Sequence, residues 1–526
     1  MFLRTHLYPC NSRKLLFTTI AAFCSVVSYS QSNTVIDNII KEETENSQLQ
    51  QLGHELLDKI GPRLVGSPQM KKANDWAVAK YDSWGISAKN EQWGVWRGWQ
   101  RGISHIDMIT PWVRSLEGTQ LAWSPSTKGQ NIKAEVIALP DLTDSIAYTK
   151  WMNSVKGKFV MISFPPPTGR PDDNWEKFAL KPSIDKMKEE RKIAQENWAH
   201  RIKKTGLTAK TLPIALEKAG ALGIITNLWS QGLGVDKIFS ANTKTVPTVD
   251  LSLEDYGLVY RLVQSGEKPV LSILAESTET GEQPTLNTIG TLPGKEKPNE
   301  YVMLSAHFDS WDGATGATDN GTGTLVMMEA MRLLKKFYPN PKRTILVGHW
   351  GSEEEGLNGS RSFVKDHPEI VQNLQVLFNQ DNGTGRIVNI SGQGFKNSEA
   401  FITRWLKAVP DSIKDTLRTV FPGLPSGGGS DNASFVSAGA PGISLSSLNW
   451  DYFTYTWHTN RDTYDKIIFD DVKRNAIITA ILAYMASEDP EKFTHEKVSN
   501  TFKNPRTGKE ENWPEAKDGN RKGGLD

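Results

Sequence analysis

The stretch that most constrains what this chain can become runs from Ser305 to Gly323, Ser-Ala-His-Phe-Asp-Ser-Trp-Asp-Gly-Ala-Thr-Gly-Ala-Thr-Asp-Asn-Gly-Thr-Gly. An apolar run, Tyr301-Val-Met-Leu304, leads into His307 and Asp309, and a glycine-rich segment then delivers Asp319 just ahead of an apolar, helix-like run. Locally this reads as a strand, a loop and a helix start. Open α/β sheets carry their functional groups there, at the carboxyl ends of strands.

Strand-like and helix-like segments alternate beyond it. Helix-like Thr324 to Phe337 is followed by strand-like Thr344 to Val347, a helix from Ser360, a strand at Val376 to Phe378, a helix near Glu399 to Val409, a strand at Gly442 to Leu445 and a closing helix from Asp471 to Ala486. This alternation predicts an α/β fold with a mostly parallel central sheet and helices on both faces. Nearer the start, Leu49, Leu52, Leu56, Leu57 and Ile60 recur at helical spacing, and Pro68 begins a second helix. Trp93, Trp96 and Trp99 fall in a strand-like region, where large aromatics are expected to pack within a sheet.

At 526 residues the chain exceeds one ordinary core. Its texture changes near Trp123, after which Lys158 to Ser163, Ala221 to Thr226, Val246 to Asp250 and Pro269 to Leu274 form a second α/β set without clustered His, Asp or Glu. The expected organisation is a larger domain split into residues 31–125 and 281–490 around an inserted unit at 126–280. Within the insert, residues 168–210 are highly charged and read as surface helix. The polar, glycine-rich residues 491–526 form a tail expected to lack order.

Lys and Arg number 61 against 60 Asp and Glu, a balance that argues against nucleic acid as a partner. The two cysteines, Cys10 and Cys24, both fall within residues 1–30, where basic residues, an apolar stretch from Leu15 to Val27 and Ser28-Tyr29-Ser30 have the layout of a signal peptide. No other segment approaches the ~20 apolar residues of a membrane span. The expectation is export through the secretory pathway to the periplasm or the extracellular space.

Chemistry gathers in four strand-end loops. His307, Asp309 and Asp319 lie in the first; the strand ending at Val347 leads to Glu353-Glu354-Glu355; the strand ending at Phe378 leads to Asp381; and Trp457-His458-Thr-Asn-Arg-Asp462 precedes the last helix. Three consecutive carboxylates repel one another unless a cation lies nearby. An imidazole and carboxylate set without thiolate suits zinc. The count fits two ions, one on His307 and Asp381, the other on Glu354 and His458, with Asp319 shared, an open position for a bridging water, and Glu353 free as general base.

The ordered set His-x-Asp (307–309), Gly-Ala-x-Asp-Asn-Gly-x-Gly (316–323), Glu-Glu-x-Gly-Leu-x-Gly-Ser (353–360), Asp381 and His-Thr-x-x-Asp-Thr (458–463) resembles the di-zinc exopeptidases, the family of bacterial leucyl aminopeptidases, carboxypeptidase Q and glutamate carboxypeptidase. The turn Gly61-Pro-Arg-Leu-Val-Gly-Ser67 is similar to one near that family's N-terminus, and the middle region resembles the protease-associated domain inserted in many members. The resemblance implies two Zn2+ per chain on the five ligands above and Glu353 passing a proton from the bridging water to the leaving amine. It also implies that Asp309 orients the His307 imidazole and that Asp462 supports His458.

Many relatives have histidine where Asn432 stands, near the family's substrate pocket, so side-chain preference is expected to differ. Tyr455, Trp457, Arg386 and Arg461 are further substrate-contact candidates by proximity to the motifs, whereas His349 is expected simply to pack. The function implied is an exported zinc exopeptidase acting on short peptides, as an aminopeptidase or dipeptidase. The alternatives are a carboxypeptidase of the same family, a non-catalytic peptidase-like binding protein, and a single-zinc glutaminyl cyclase relative.

Overall fold

The computed structural model describes residues 34–381 and 384–524; the expected leader, residues 1–30, lies outside them. A 15-stranded sheet runs through the molecule. In chain order its main strands are β1 (Ser87–Thr110), β2 (Arg114–Ser115), β3 (Gly118–Gln120), β4 (Ile132–Ala138), β5 (Phe159–Met161), β6 (Gly223–Thr226), β7 (Thr248–Leu251), β8 (Val270–Leu292), β9 (Lys297–His307), β10 (Arg343–Trp350), β11 (Leu374–Asn379), β12 (Ile387–Ser391), β13 (Arg418–Val420) and β14 (Gly442–Ser447). Their spatial order is β13-β12-β14-β11-β9-β10-β8-β4-β5-β6-β7-β3, with β1 pairing along β8.

Strands β14, β11, β9 and β10 pair in parallel and form the block on which the candidate site is built. Successive side chains in a strand point to opposite faces, so a strand buried on both sides is apolar throughout. In β9, Val302, Leu304 and Ala306 join the core under the helices Thr322–Phe337 and Phe469–Glu488, while Met303 faces the other way. There it meets Leu346, Trp350, Phe363 and Phe435 beneath the helices Asn358–Asp366 and Asn432–Ser437. The result is a mixed α/β fold with a large, mostly parallel sheet and helices on both faces, as the alternation predicts.

Strands β4 to β7 are parallel and have their own cores, one of Val136, Phe159, Met161 and Val249, another of Val160, Leu216, Ile224 and Trp198. β1 and β8, of 24 and 23 residues, form a long antiparallel ribbon that joins this set to the β9 block. Residue 280 lies inside β8, because one continuous strand serves both cores. The charged segment forms the helices Asp172–Phe178 and Lys181–Lys204; the second is largely solvated but buries Met187 and Trp198. Trp93, Trp96 and Trp99 are buried together, as expected of sheet residues.

The expectation that residues 491–526 lack order is overturned for those described. Thr501–Lys503 pairs with Glu510–Asn512, and Lys522 and Gly523 add a short parallel strand beside Val95 and Trp96. Trp513 is the reason: its ring packs on Phe395, with centroids 5.3 Å apart, and its indole N–H donates to the Val436 carbonyl at 3.0 Å. One large aromatic burial can anchor a polar segment whose average composition predicts disorder.

Two stability tests follow from this packing. Replacing Trp513 by Ala should cost about 3–5 kcal/mol, read from the denaturant midpoint. Glu43 is buried facing Glu329, and burial, then that neighbour, pushes its pKa up to about 9. The folded state therefore holds a proton that an unfolded glutamate releases near its ordinary value of 4.5, so stability falls as pH rises between 4.5 and about 9. Glu43→Gln should leave the melting temperature near the parent's at pH 5 and raise it at pH 8.

Candidate metal centre

Three of the parallel strands, β9, β10 and β11, end on one edge of the sheet, and their loops converge with the turn that carries His458. His307 is the last residue of β9. Its Nε2 lies 3.3 Å from Asp319 Oδ1 and 3.3 Å from Asp381 Oδ1, the latter residue arriving from the end of β11. His458, held at φ 59°, points Nε2 at Glu354 Oε2, 2.8 Å away, and at Asp319 Oδ2, 3.3 Å away. The two oxygens of Asp319 thus face two different histidines, and each histidine has a second carboxylate of its own. His307, Asp319 and Asp381 form one group able to hold a metal; Asp319, Glu354 and His458 form a second.

The supporting residues are arranged differently from the expectation. The Asp309 carboxylate accepts the backbone N–H groups of Glu353 and Glu354 at 3.1 and 3.2 Å and so fixes the β10 loop. His307 Nδ1 is 3.1 Å from the Asp309 carbonyl but 3.6 Å from its carboxylate, too long for a hydrogen bond, so the imidazole is oriented by backbone. Asp462 bonds the loop that carries Asp319. Its carboxylate accepts the N–H of Thr318 at 2.7 Å and of Asp319 at 3.0 Å, holding the shared carboxylate from behind.

Arg63 was not singled out from the sequence, although its turn was. Its guanidinium is fully buried and donates to the carbonyls of Phe308 at 2.6 Å, Thr315 at 2.8 Å and Gly316 at 2.8 Å. It therefore clamps the loop between His307 and Asp319, and burial lowers its pKa to about 10. The only signal was the Gly61–Ser67 turn, and nothing in that turn names the partners. Tyr452, also unforeseen, stands close enough to Asp319 to help lower that residue's pKa.

Of the substrate-contact candidates, Trp457 lies against His458, ring centroids 4.0 Å apart. Tyr455 and Arg461 line a neighbouring cavity of about 440 Å³. Arg386 is turned to Asp471, 3.6 Å away, and the buried Asn432 amide donates to the Gly442 carbonyl at 3.4 Å. His349 packs as expected, with Nε2 2.7 Å from the Tyr81 hydroxyl and its pKa lowered to about 3 by burial.

The electrostatics call for a cation. Loss of solvation, then neighbouring charges, raises Glu353, Glu354 and Glu355 well above the usual carboxylate range. Asp431, next to this group, is pushed up to about 7, again first by burial. Burial would lower His307, but Asp381 and its other carboxylate neighbours outweigh it and raise its pKa. Asp319 Oδ2 and Glu354 Oε1 are buried and accept no hydrogen bond. Unsatisfied oxygens beside convergent imidazole nitrogens are what a divalent ion would satisfy, and the N/O donor set fits zinc.

Peptidase family M28 matches residues 287–483. Carboxypeptidase Q of Mus musculus is 23% identical over 462 residues, covering 87% of this chain and 89% of that protein. Among solved structures, the peptidase M28 precursor of Shewanella amazonensis superposes with a TM-score of 0.66 at 24% identity, over 88% of this chain and 98% of that one. A zinc aminopeptidase of Bacillus subtilis gives 0.54 at 20% identity, over 85% and 96%.

Because the uncompensated carboxylates are buried, chelation should lower the melting temperature and zinc should restore it. At a thousandfold excess of free metal over Kd the linkage is worth about 4 kcal/mol. A melting temperature indifferent to chelator would contradict a metal centre here.

Proposed function

Because the chain belongs to peptidase family M28, a family of metallo-exopeptidase hydrolases, we propose that it removes single residues from short peptides as an aminopeptidase or dipeptidase that uses two zinc ions. His307 and Asp381 would hold one ion and Glu354 and His458 the other, with Asp319 able to serve both. The observation that carries this reading is the division of the Asp319 oxygens between the two histidines. A single-ion site would not need a carboxylate so divided.

When bound, zinc supplies Lewis acidity that draws electron density from the scissile carbonyl and makes the attacking water more acidic. The remaining chemistry belongs to the chain. Glu353 is in neither metal-holding group, yet its backbone N–H is fixed by Asp309 beside Glu354. Its carboxylate takes one proton from the water as oxygen bonds to the carbonyl carbon. It then returns that proton to the departing amine as the C–N bond breaks, leaving a carboxylic acid and an amine. Poor solvation raises its proton affinity, which suits a group that must first accept and then donate.

Residues 126–280 are read as the inserted protease-associated domain and residues 1–30 as a leader for export. No helix among the described residues is long and apolar enough to cross a membrane.

Glu353→Gln should lower kcat on aminoacyl and dipeptide substrates by at least about 10²–10⁴-fold while metal content by atomic emission stays at the parent's value. Retained turnover would remove Glu353 from the mechanism; lost metal would make it a ligand instead.

A further inference from the structure

A cavity of about 660 Å³ opens in the inserted unit, and Phe239 and Trp457 of its wall pack against His458. Its walls include Ile162, Trp198, Leu212, Phe239 and Trp457, and Lys237 is the one charged residue in its lining. The volume is that of a small-molecule site, and a dominantly apolar lining with one fixed charge is how such sites select and orient a ligand.

Lys237 is 6% exposed; Asp319 and Asp250 are the carboxylates that favour its charge, but neither pairs with it directly among the described residues. A buried ammonium with carboxylates nearby but none paired directly with it is costly and calls for a reason. Its Nζ lies 4.3 Å from the centroid of the Trp457 ring, which also packs against Phe239, Phe453 and His458. The Trp457 ring gives the ammonium a cation–π contact, which serves the charge in part and leaves its hydrogen-bond donors for an anionic partner. The other basic groups around the centre are already engaged: Arg101 pairs with Asp312, Arg461 with Glu117, and Arg63 is spent on carbonyls.

The position of Lys237 is fixed by the chain on both sides. Its own N–H donates to Asp250 at 3.1 Å, and the next residue, Ile238, donates to the His458 carbonyl at 2.7 Å. The segment from the inserted unit is therefore registered against the loop that holds a candidate metal ligand. Ammonium and metal-holding imidazole are two faces of one wall.

We propose that Lys237 receives the free carboxylate of the C-terminal residue of a short peptide while the cavity takes that residue's bulky apolar side chain. This rests on the exopeptidase reading above and narrows it to dipeptides and other short peptides with a free, apolar carboxyl end. The leaving residue is then gripped by charge and by burial, and a substrate whose carboxylate is amidated loses the first grip and keeps the second.

The test compares Ala-Phe with Ala-Phe-amide as substrates of the full-length zinc-loaded protein, with Lys237→Met and Lys237→Arg beside the parent. The parent should show a KM for the free acid about 10- to 100-fold below that for the amide, the range of one charge-assisted hydrogen bond. Lys237→Met should erase most of that difference chiefly through KM, and Lys237→Arg should recover part of it. A parent that does not distinguish acid from amide overturns the proposal without recourse to any variant. So does a folded Lys237→Met that discriminates as the parent does, and in both cases the exopeptidase reading stands. A zinc-loaded parent that cleaves neither substrate, nor any member of a wider dipeptide panel, overturns the exopeptidase reading and this proposal with it.

Discussion

One carboxylate shared between two imidazoles is the constraint on which this structure depends. Asp319 presents Oδ1 to His307 and Oδ2 to His458, both at 3.3 Å, and those histidines reach it from distant parts of the chain. Such a carboxylate cannot be left to its own rotamers. Asp462 holds the peptide N–H of Asp319 and that of Thr318, and Arg63 holds the carbonyls of the loop that leads to it. The shared carboxylate is fixed through its backbone by a carboxylate and through its approach by a guanidinium, which leaves both of its oxygens for the site.

The sheet explains why the cost of gathering so many carboxylates is bearable. Parallel β9, β10 and β11 end together, so three loops deliver His307, the Glu353–Glu355 run and Asp381 to one edge without further folding. The strands beneath are apolar on both faces and sit under helices, so their burial supplies the stability against which the repulsion at the edge is set. Much of the remaining repulsion is relieved locally by backbone N–H groups, as when Asp309 accepts two from the glutamate loop. What backbone dipoles do not satisfy is left for a cation.

The central block could be read from the sequence because its signals are local. An apolar run that ends in His307 announces a strand and its functional loop within a few residues, and the same holds for the runs ending near Val347 and Phe378. The supports could not be read in this way, because they are long-range. Arg63 meets carbonyls some 250 positions downstream, and a sequence names no carbonyl as a partner. Asp309 and Asp462 were recognised as supporting carboxylates, but which group each supports depends on backbone directions set only by the assembled loops. Composition also misled at the carboxyl end, where a single indole, Trp513, anchors an otherwise polar segment.

The inserted strands matter to the site through their contact with the His458 loop. Asn460 donates to the Asp236 carboxylate and its own N–H bonds the Asp236 carbonyl, while Ile238 donates to the His458 carbonyl. His458 itself sits at a positive φ, a conformation that a non-glycine residue keeps only where its surroundings hold it. The contacts from residues 236–239 are among those surroundings. A shift of the inserted unit would therefore move Lys237, Phe239 and the His458 backbone together. The apolar cavity and the His458 imidazole are mechanically one structure, and the segment that walls the cavity also positions a candidate metal ligand.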